Sequence, residues 1–346
     1  MNVPAYHRLT VDEVITETAD AHSLRFAVPE HLLDDFAYKP GQHLQLHVPH
    51  DDGALPRCYS LSSNPYAGEP LQVTIKRIDD GRASNWICDN ITPGDTLEVM
   101  PPAGVFVPRT LDADLLMFAG GSGITPCYSI LQSVLTAGRG HVRLIYANRD
   151  EASIIFREAL AELAREHPDR LEIIHWLDSV QGYPTQTQLT MLARGWERAD
   201  CFVCGPGVFM DTATAALHAM GLPRNRVHVE RFVSLPSDAD ALAEPAAPAA
   251  DAPEGPVALT VHIDGQTVEA EGRADQPLLD AFQEAGIEAP FSCRSGACGA
   301  CMCRLDEGSV THRNNVVLDD AELAEGWILS CQALPTSSQL RITYPE

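Results

Sequence analysis

Over residues 1–108, short apolar stretches alternate with polar positions and are cut by Pro- and Gly-bearing turns, as in the stretches 43–48 and 71–75. Successive side chains of a strand point to opposite faces, so this period-two pattern predicts an antiparallel β-barrel. Beyond residue 109 the pattern changes. Leu115-Leu116-Met117-Phe118-Ala119 is continuously apolar and runs into glycines, and a helical stretch covers Pro126 to Leu135. Val142 to Ala147 repeats the buried-strand pattern, Ile154 to Arg165 has helical spacing, and further strands fit Leu171 to Trp176 and Cys201 to Cys204. Strands alternating with helices predict an α/β, Rossmann-like domain with a parallel sheet over 109–233.

Residues 234–256, SLPSDADALAEPAAPAADAPEGP, contain almost no large apolar side chains. Pro stiffens such a segment and its acids extend it, so it is expected to be a linker. Structured patterning resumes at Val257. Val257 to Ile263, the Asp264-Gly265 turn and Thr267 to Ala270 predict a hairpin, and a helix is expected near Pro277 to Ala285. The third domain, 257–346, therefore reads as α+β, and no internal repeat is present.

The formal net charge of −24 speaks against nucleic acid as a partner, because phosphate binding needs a basic face. Lys39 and Lys76 are the only lysines. The first fifteen residues are polar, broken by Pro4 and without an apolar core, and no apolar run is long enough to span a bilayer. A cytoplasmic, non-membrane protein is expected. Ten cysteines in such a chain call for an explanation other than disulfides.

Cys293, Cys298 and Cys301 form C-x4-C-x2-C, and Cys331 follows after 29 intervening residues. This is the plant-type [2Fe–2S] spacing. Four thiolates must converge on two irons, three of them from one tight loop whose backbone N–H groups approach the sulfurs. Ser295, Gly296, Ala297, Gly299 and Ala300 supply the small residues this requires. A structural zinc site would ask for paired short Cys units, and no second pair lies near Cys331. Cys303 reads as a packed thiol.

Two further motifs point to nucleotides. In Arg57-Cys58-Tyr59-Ser60-Leu61, Arg57 can pair with a pyrophosphate, Tyr59 can lie on an isoalloxazine and Ser60 can hydrogen-bond its reactive nitrogen. Gly81-Arg82-Ala83-Ser84 opens a helix suited to a second phosphate, although Ser84 would also serve as a plain N-cap. Gly120-Gly121-Ser122-Gly123-Ile124-Thr125-Pro126 joins an apolar strand to a helix, where glycines admit a pyrophosphate; an ordinary βα turn reads the same way. Cys204-Gly205-Pro206-Gly207 ends a later strand, and Cys204 can either approach a nicotinamide or fill the core. At Asn148-Arg149-Asp150, Asp150 suits a free ribose 2′-hydroxyl and Arg149 a 2′-phosphate.

These motifs resemble the ferredoxin–NADP reductase superfamily, in the branch with a C-terminal ferredoxin domain. The resemblance covers nearly the whole chain. It rests on RCYSLSSNP (57–65), VTIKRIDDGRASNWICDN (73–90), GGSGITP (120–126), YANRDEASIIF (146–156), CGPGVFM (204–210), VHVERF (227–232) and AEGWILSCQA (324–333). It looks closest to reductase components of 3-ketosteroid 9α-hydroxylases and is similar to those of phenylacetyl-CoA epoxidases. The resemblance implies a β-grasp fold for the last domain. It also implies FAD, a [2Fe–2S] cluster and NADH, with NADPH possible, and single-electron delivery to a terminal oxygenase in steroid breakdown. A Rieske-type oxygenase is the favoured partner and a di-iron oxygenase the alternative; a non-catalytic redox sensor or carrier is the reading from another class. Carried over residue by residue, Arg57, Tyr59, Ser60, Lys76, Gly81, Ser84 and Thr125 become flavin contacts, with Glu230 and Phe232 near the isoalloxazine. Gly120, Gly121, Gly123, Pro126, Asn148, Arg149, Gly205 and Pro206 become nicotinamide-nucleotide contacts. Ser60, Thr125, Cys204 and Glu230 surround the reacting atoms.

Overall fold

The computed structural model describes residues 6–50, 54–232 and 253–345, except 292, 297, 316 and 319. Most of the expected linker, and Ala297 of the cysteine loop, lie outside the described residues. The chain divides into one compact unit over Tyr6–Phe232 and another that takes in the residues after Phe232.

The first unit opens with strands β1 (His7–Thr18), β2 (Ala21–Ala27), β3 (His43–Val48), β4 (Leu55–Ser60) and β5 (Leu71–Lys76), helix α1 (Arg82–Asn90) and strand β6 (Thr96–Val99). They form a six-stranded antiparallel sheet in the order β4-β3-β6-β1-β2-β5. A bridge between Leu61 and Val73 joins its two outer strands and closes the barrel. The alternation seen in the sequence is the alternation of inside and outside. Leu9, Val11, Leu44, Leu46, Val73, Ile75, Leu97 and Val99 all point into one sealed core, against which Ile87 of α1 packs.

The same unit continues with β7 (Leu115–Gly120), α2 (Ile124–Ala137), β8 (Val142–Asn148), α3 (Arg157–Glu166), β9 (Leu171–Leu177), α4 (Asp178–Gln181), α5 (Gln186–Ala193), β10 (Asp200–Cys204), α6 (Gly207–Ala219) and β11 (Val227–Glu230). The five strands run parallel in the order β11-β10-β7-β8-β9. From β7 the chain winds one way to β8 and β9, then crosses to β10 on the other side. That reversal puts the topological switch point at the carboxyl ends of β7 and β10, where open α/β sheets take ligands. Helix α3 starts at Arg157, three residues later than the sequence pattern predicts. Asp150 and Ser153 close a capping box round a short 3-10 turn, and Phe156 takes a left-handed φ of 60°, so Ile154–Phe156 is spent on burying apolar surface rather than on helix.

The second unit holds β12 (Val257–Ile263), β13 (Gln266–Gly272), α7 (Leu278–Glu284), β14 (Met302–Glu307), β15 (Val310–His312), α8 (Asp320–Ala324), β16 (Trp327–Leu329), β17 (Ala333–Pro335) and β18 (Gln339–Thr343). Five of the strands form one mixed sheet, β13-β12-β18-β14-β16, and β15 pairs with β17. The predicted hairpin is β12–β13, turned at Asp264 (φ 49°) and Gly265 (φ 69°). Among the described residues no helix is long and apolar enough to cross a membrane.

Candidate functional site

Strand β4 presents Arg57, Tyr59 and Ser60 at its carboxyl end. Arg57 Nη1 donates to the Pro56 carbonyl at 2.7 Å, and its guanidinium makes no ion pair among the described residues. A half-buried cation without a carboxylate partner fits an anionic ligand. Burial raises the Tyr59 hydroxyl above its ordinary range, so it stays a neutral phenol at any physiological pH.

Ser60 Oγ donates to Glu230 Oε2 at 3.1 Å, across 170 residues of sequence. His43 lies opposite Ser60 in the β3–β4 ladder and is buried. Crowding by protein lifts the Glu230 carboxyl to about 7, opposed first by the nearby His43 and then by the Ser60 hydrogen bond. Cys204 lies beside Glu230 in the β10–β11 register, fully buried, and burial together with the Glu230 charge pushes its thiol well up. A thiol so placed is a packed, proton-bearing group and not a thiolate nucleophile. Phe232, two residues past Glu230, is 44% exposed.

The two glycine motifs are two halves of one wall. A Cβ on Gly123 would stand 2.2 Å from the Cys204 carbonyl oxygen, and one on Gly120 would meet Pro206 Cδ at 2.8 Å and Phe209. The backbones touch because neither loop carries a side chain there. Gly121 takes a left-handed φ of 52°, its carbonyl accepts from the Tyr146 hydroxyl at 3.1 Å, and a Cβ built on it would lie 3.6 Å from Lys76 Nζ at the end of β5. Lys76 is also 3.8 Å from Asp20. Thr125 is buried and spends its hydroxyl proton on the Ser122 carbonyl at 3.0 Å; Pro126 follows within the first turn of α2.

At α1 the capping position belongs to Gly81, which makes no side-chain cap. The alternative of Ser84 as N-cap is thereby corrected: Ser84 sits in the first turn, and its Oγ accepts from Ile78 N at 3.3 Å. The helix N–H groups at Arg82 and Ala83 remain available for an anion.

At the carboxyl end of β8, Asn148 is buried; its amide N–H faces the Tyr146 hydroxyl, and its amide oxygen has no hydrogen-bond partner among the described residues. Such an oxygen normally finds a partner, and a bound nucleotide would provide one. Arg149 and Asp150 are paired with each other at 3.2 Å, and Asp150 is further held by the Ser153 N–H. The next strand brings a residue that the sequence motifs do not reveal: Asp178, at the carboxyl end of β9. Its Oδ1 is buried without a partner among the described residues, burial raises its carboxyl, and Ser179 N donates to the Arg149 carbonyl beside it. Only the rule that parallel strands present ligands at their carboxyl ends, applied to β9, would have singled it out.

In the second unit the cysteine loop folds on itself. Cys298 Sγ accepts from Cys293 N at 3.4 Å, and Cys293 Sγ accepts from Ser295 N at 3.5 Å. Cys301 and Cys331 thiols lie within hydrogen-bond reach, which pulls Cys301 below the ordinary thiol range. Gly296 has φ 76°, and a Cβ there would stand 2.6 Å from the Asn314 carbonyl oxygen, so the loop tolerates no side chain at that point. The cysteines meet as two pairs, Cys293 with Cys298 and Cys301 with Cys331, and among the described residues no three ligands gather round a single metal ion; two thiolate pairs with amides aimed at sulfur suit the two irons of a [2Fe–2S] cluster. Cys303 is fully buried in β14, as expected of a packed thiol.

A cleft lined by Asp114, His141, Arg170, Trp196 and Arg198 opens at the amino ends of the parallel strands, the opposite end of that sheet from Cys204, Asn148 and Asp178. Its Arg170 is consumed by the Val134, Leu135, Gly138 and Gly140 carbonyls, so it reads as a structural seam.

Three protein families match successive parts of the chain. An oxidoreductase FAD-binding domain covers residues 8–107, an oxidoreductase NAD-binding domain 117–215, and a 2Fe-2S iron-sulfur cluster binding domain 261–336. The chain is 49% identical to the ferredoxin reductase component of a 3-ketosteroid-9-alpha-monooxygenase from Rhodococcus rhodochrous, over 97% of this chain and 96% of that one. It is 36% identical to one of the polypeptides of the 1,2-phenylacetyl-CoA epoxidase of Escherichia coli, over 98% of each. Among solved structures, phthalate dioxygenase reductase shares the fold with a TM-score of 0.58 at 24% identity, over 98% of each chain.

Proposed function

The chain belongs to the family of ferredoxin reductase components of oxygenases, and on that premise we propose that it supplies single electrons from NADH to a separate Rieske-type oxygenase, a 3-ketosteroid 9α-hydroxylase. When bound, FAD accepts two electrons from NADH and the [2Fe–2S] cluster accepts them one at a time. The protein's part is to bind, orient and exclude water.

The observation that carries this reading is the Ser60–Glu230 contact. It joins the end of the flavin-motif strand to the nicotinamide switch point, where Gly123 packs on Cys204. In this reading Arg57 holds the flavin pyrophosphate, Tyr59 and Phe232 cover the ring system, and the α1 N-terminus at Gly81–Ser84 takes a second phosphate. Gly120, Gly121, Gly123, Gly205 and Pro206 let the nicotinamide nucleotide approach the backbone, with Lys76, Thr125 and Pro126 at the meeting point. Glu230, near neutrality and bonded to Ser60, holds or releases a proton at Ser60 Oγ. Asn148 and Asp178 receive the adenosine ribose. Cys293, Cys298, Cys301 and Cys331 hold the irons. The division of labour runs 1–108 for flavin, 109–233 for nicotinamide, 234–256 as linker and 257–346 for the cluster.

A panel of purified oxygenases tests the proposal. Turnover with a Rieske 3-ketosteroid hydroxylase and NADH is expected. Turnover only with a di-iron oxygenase would move the assignment to the second reading, which the likeness to the epoxidase polypeptide supports. Anaerobic titration with NADH, followed by optical and EPR spectra, is expected to reduce both flavin and cluster; iron that stays oxidised would refute the reading.

A further inference from the structure

Helix α2 is buried from Ile124 to Leu135, yet Ser129, Gln132, Ser133 and Thr136 set a polar stripe along one face at i, i+3, i+4, i+7. Buried hydroxyls and amides are costly unless paired, which bears on Ser129, Gln132 and Ser133, while Thr136 at the end of the stripe is exposed. Each of these is paired with the segment 62–64 of the barrel. Ser129 Oγ donates to the Ser63 carbonyl at 2.7 Å, and Gln132 Nε2 donates to the Ser62 carbonyl at 3.3 Å. Ser133 Oγ gives its proton chiefly to the Ser129 carbonyl at 2.8 Å, with Asn64 Oδ1 at 3.3 Å as the weaker branch, and Asn64 Nδ2 donates to Thr136 Oγ1 at 2.9 Å. Asn64 is itself fixed: its Oδ1 accepts from Tyr66 N at 3.0 Å, and its N–H donates to Glu69 Oε2 at 2.8 Å.

The place of this network is what gives it meaning. Residues 62–64 lie one residue beyond Ser60, after Leu61, and α2 follows directly on the glycine wall 120–123. Rotation of one element against the other would break several buried bonds at once, so the contact behaves as a weld and not a hinge. We propose that Asn64, through Ser133 and Thr136, is a positioning residue that sets the angle at which the nicotinamide loop faces the flavin end of β4, before any nucleotide binds. This rests on the assignment of flavin and nicotinamide sites given above. Asn64 itself belongs to neither set of contacts.

The test uses the holoprotein in anaerobic stopped flow. For Asn64→Leu the limiting rate of flavin bleaching at saturating NADH is expected to fall about 10- to 100-fold, the loss typical of a misaligned donor and acceptor. The Kd for NADH should stay within about twofold, and the long-wavelength charge-transfer absorbance on mixing should weaken. Thr136→Val should show a smaller loss and Thr136→Ser should restore the wild-type rate. A folded Asn64→Leu protein that bleaches at the wild-type rate, or loses only NADH affinity, overturns the proposal. If Asn64→Leu does not fold, Ser133→Ala and Thr136→Val decide, and wild-type rates and absorbance in both overturn it. A wild-type protein that NADH fails to bleach refutes the underlying site assignment, and the positioning role with it.

Discussion

Glu230 holds its proton in the folded protein up to about pH 7, whereas a free glutamate loses it near pH 4.5. Between those values the unfolded chain binds fewer protons than the native one, so this residue makes stability fall as pH rises through that window. Unfolding of flavin-free protein by urea at pH 5 and pH 8 should show a loss of about 1–3 kcal/mol that Glu230→Gln abolishes. Under the proposed function, Asp178 would act on specificity. Its buried oxygen, unpaired among the described residues, is an acceptor for a ribose hydroxyl and a source of repulsion for a 2′-phosphate. Asp178→Asn should raise kcat/KM for NADPH about tenfold relative to NADH, a change of about 1.4 kcal/mol readable in steady-state assays with both nucleotides. The sequence displays Arg149 and Asp150 more prominently, but the fold pairs those two with each other.

The strand-end loops depend on close backbone contact. Gly123→Ala would force a methyl group to within 2.2 Å of the Cys204 carbonyl oxygen, where backbone must move to make room. A loss of about 1–3 kcal/mol in stability is expected, together with a drop in NADH-dependent flavin bleaching larger than any loss of bound flavin. Chemical denaturation and flavin content measured on the same preparation would separate the two. Helix α2 shows why element boundaries are harder to read than element type. Its apolar run identifies the helix, while its polar stripe looks like ordinary amphipathicity until the barrel segment 62–64 is packed on it. The late start of α3 has a similar cause, since the Asp150–Ser153 capping box competes with the helical pattern of the residues after it.

At the scale of the whole molecule, the cofactor domains divide the labour. Cys301→Ser should leave NADH-driven flavin bleaching within about twofold of wild type while abolishing the EPR signal of the reduced cluster and electron delivery to the oxygenase. The Ala-, Pro- and acid-rich stretch 234–256 has the composition of an extended tether. Removing about half of it should slow reduction of the oxygenase several-fold, through effective concentration, without changing the rate of flavin bleaching. Equal rates of oxygenase reduction in the two proteins would show that tether length plays no part in delivery.

The amino-acid sequence by itself determined the chemistry that depends on local spacing: four cysteines at C-x4-C-x2-C and Cys331, glycines between strand and helix, and the order of three domain patterns. Such signals are legible because a tight loop or a backbone approach constrains neighbouring residues directly. Only the tertiary structure decided which distant groups meet. Ser60 and Glu230 are 170 residues apart, Asp178 acquires meaning from the position of β9 in the sheet, and Asn64 becomes a keystone only when α2 lies across it. Those contacts follow from sheet order and helix packing, which arise from burying apolar surface over the whole chain and leave no local mark on the residues they bring together.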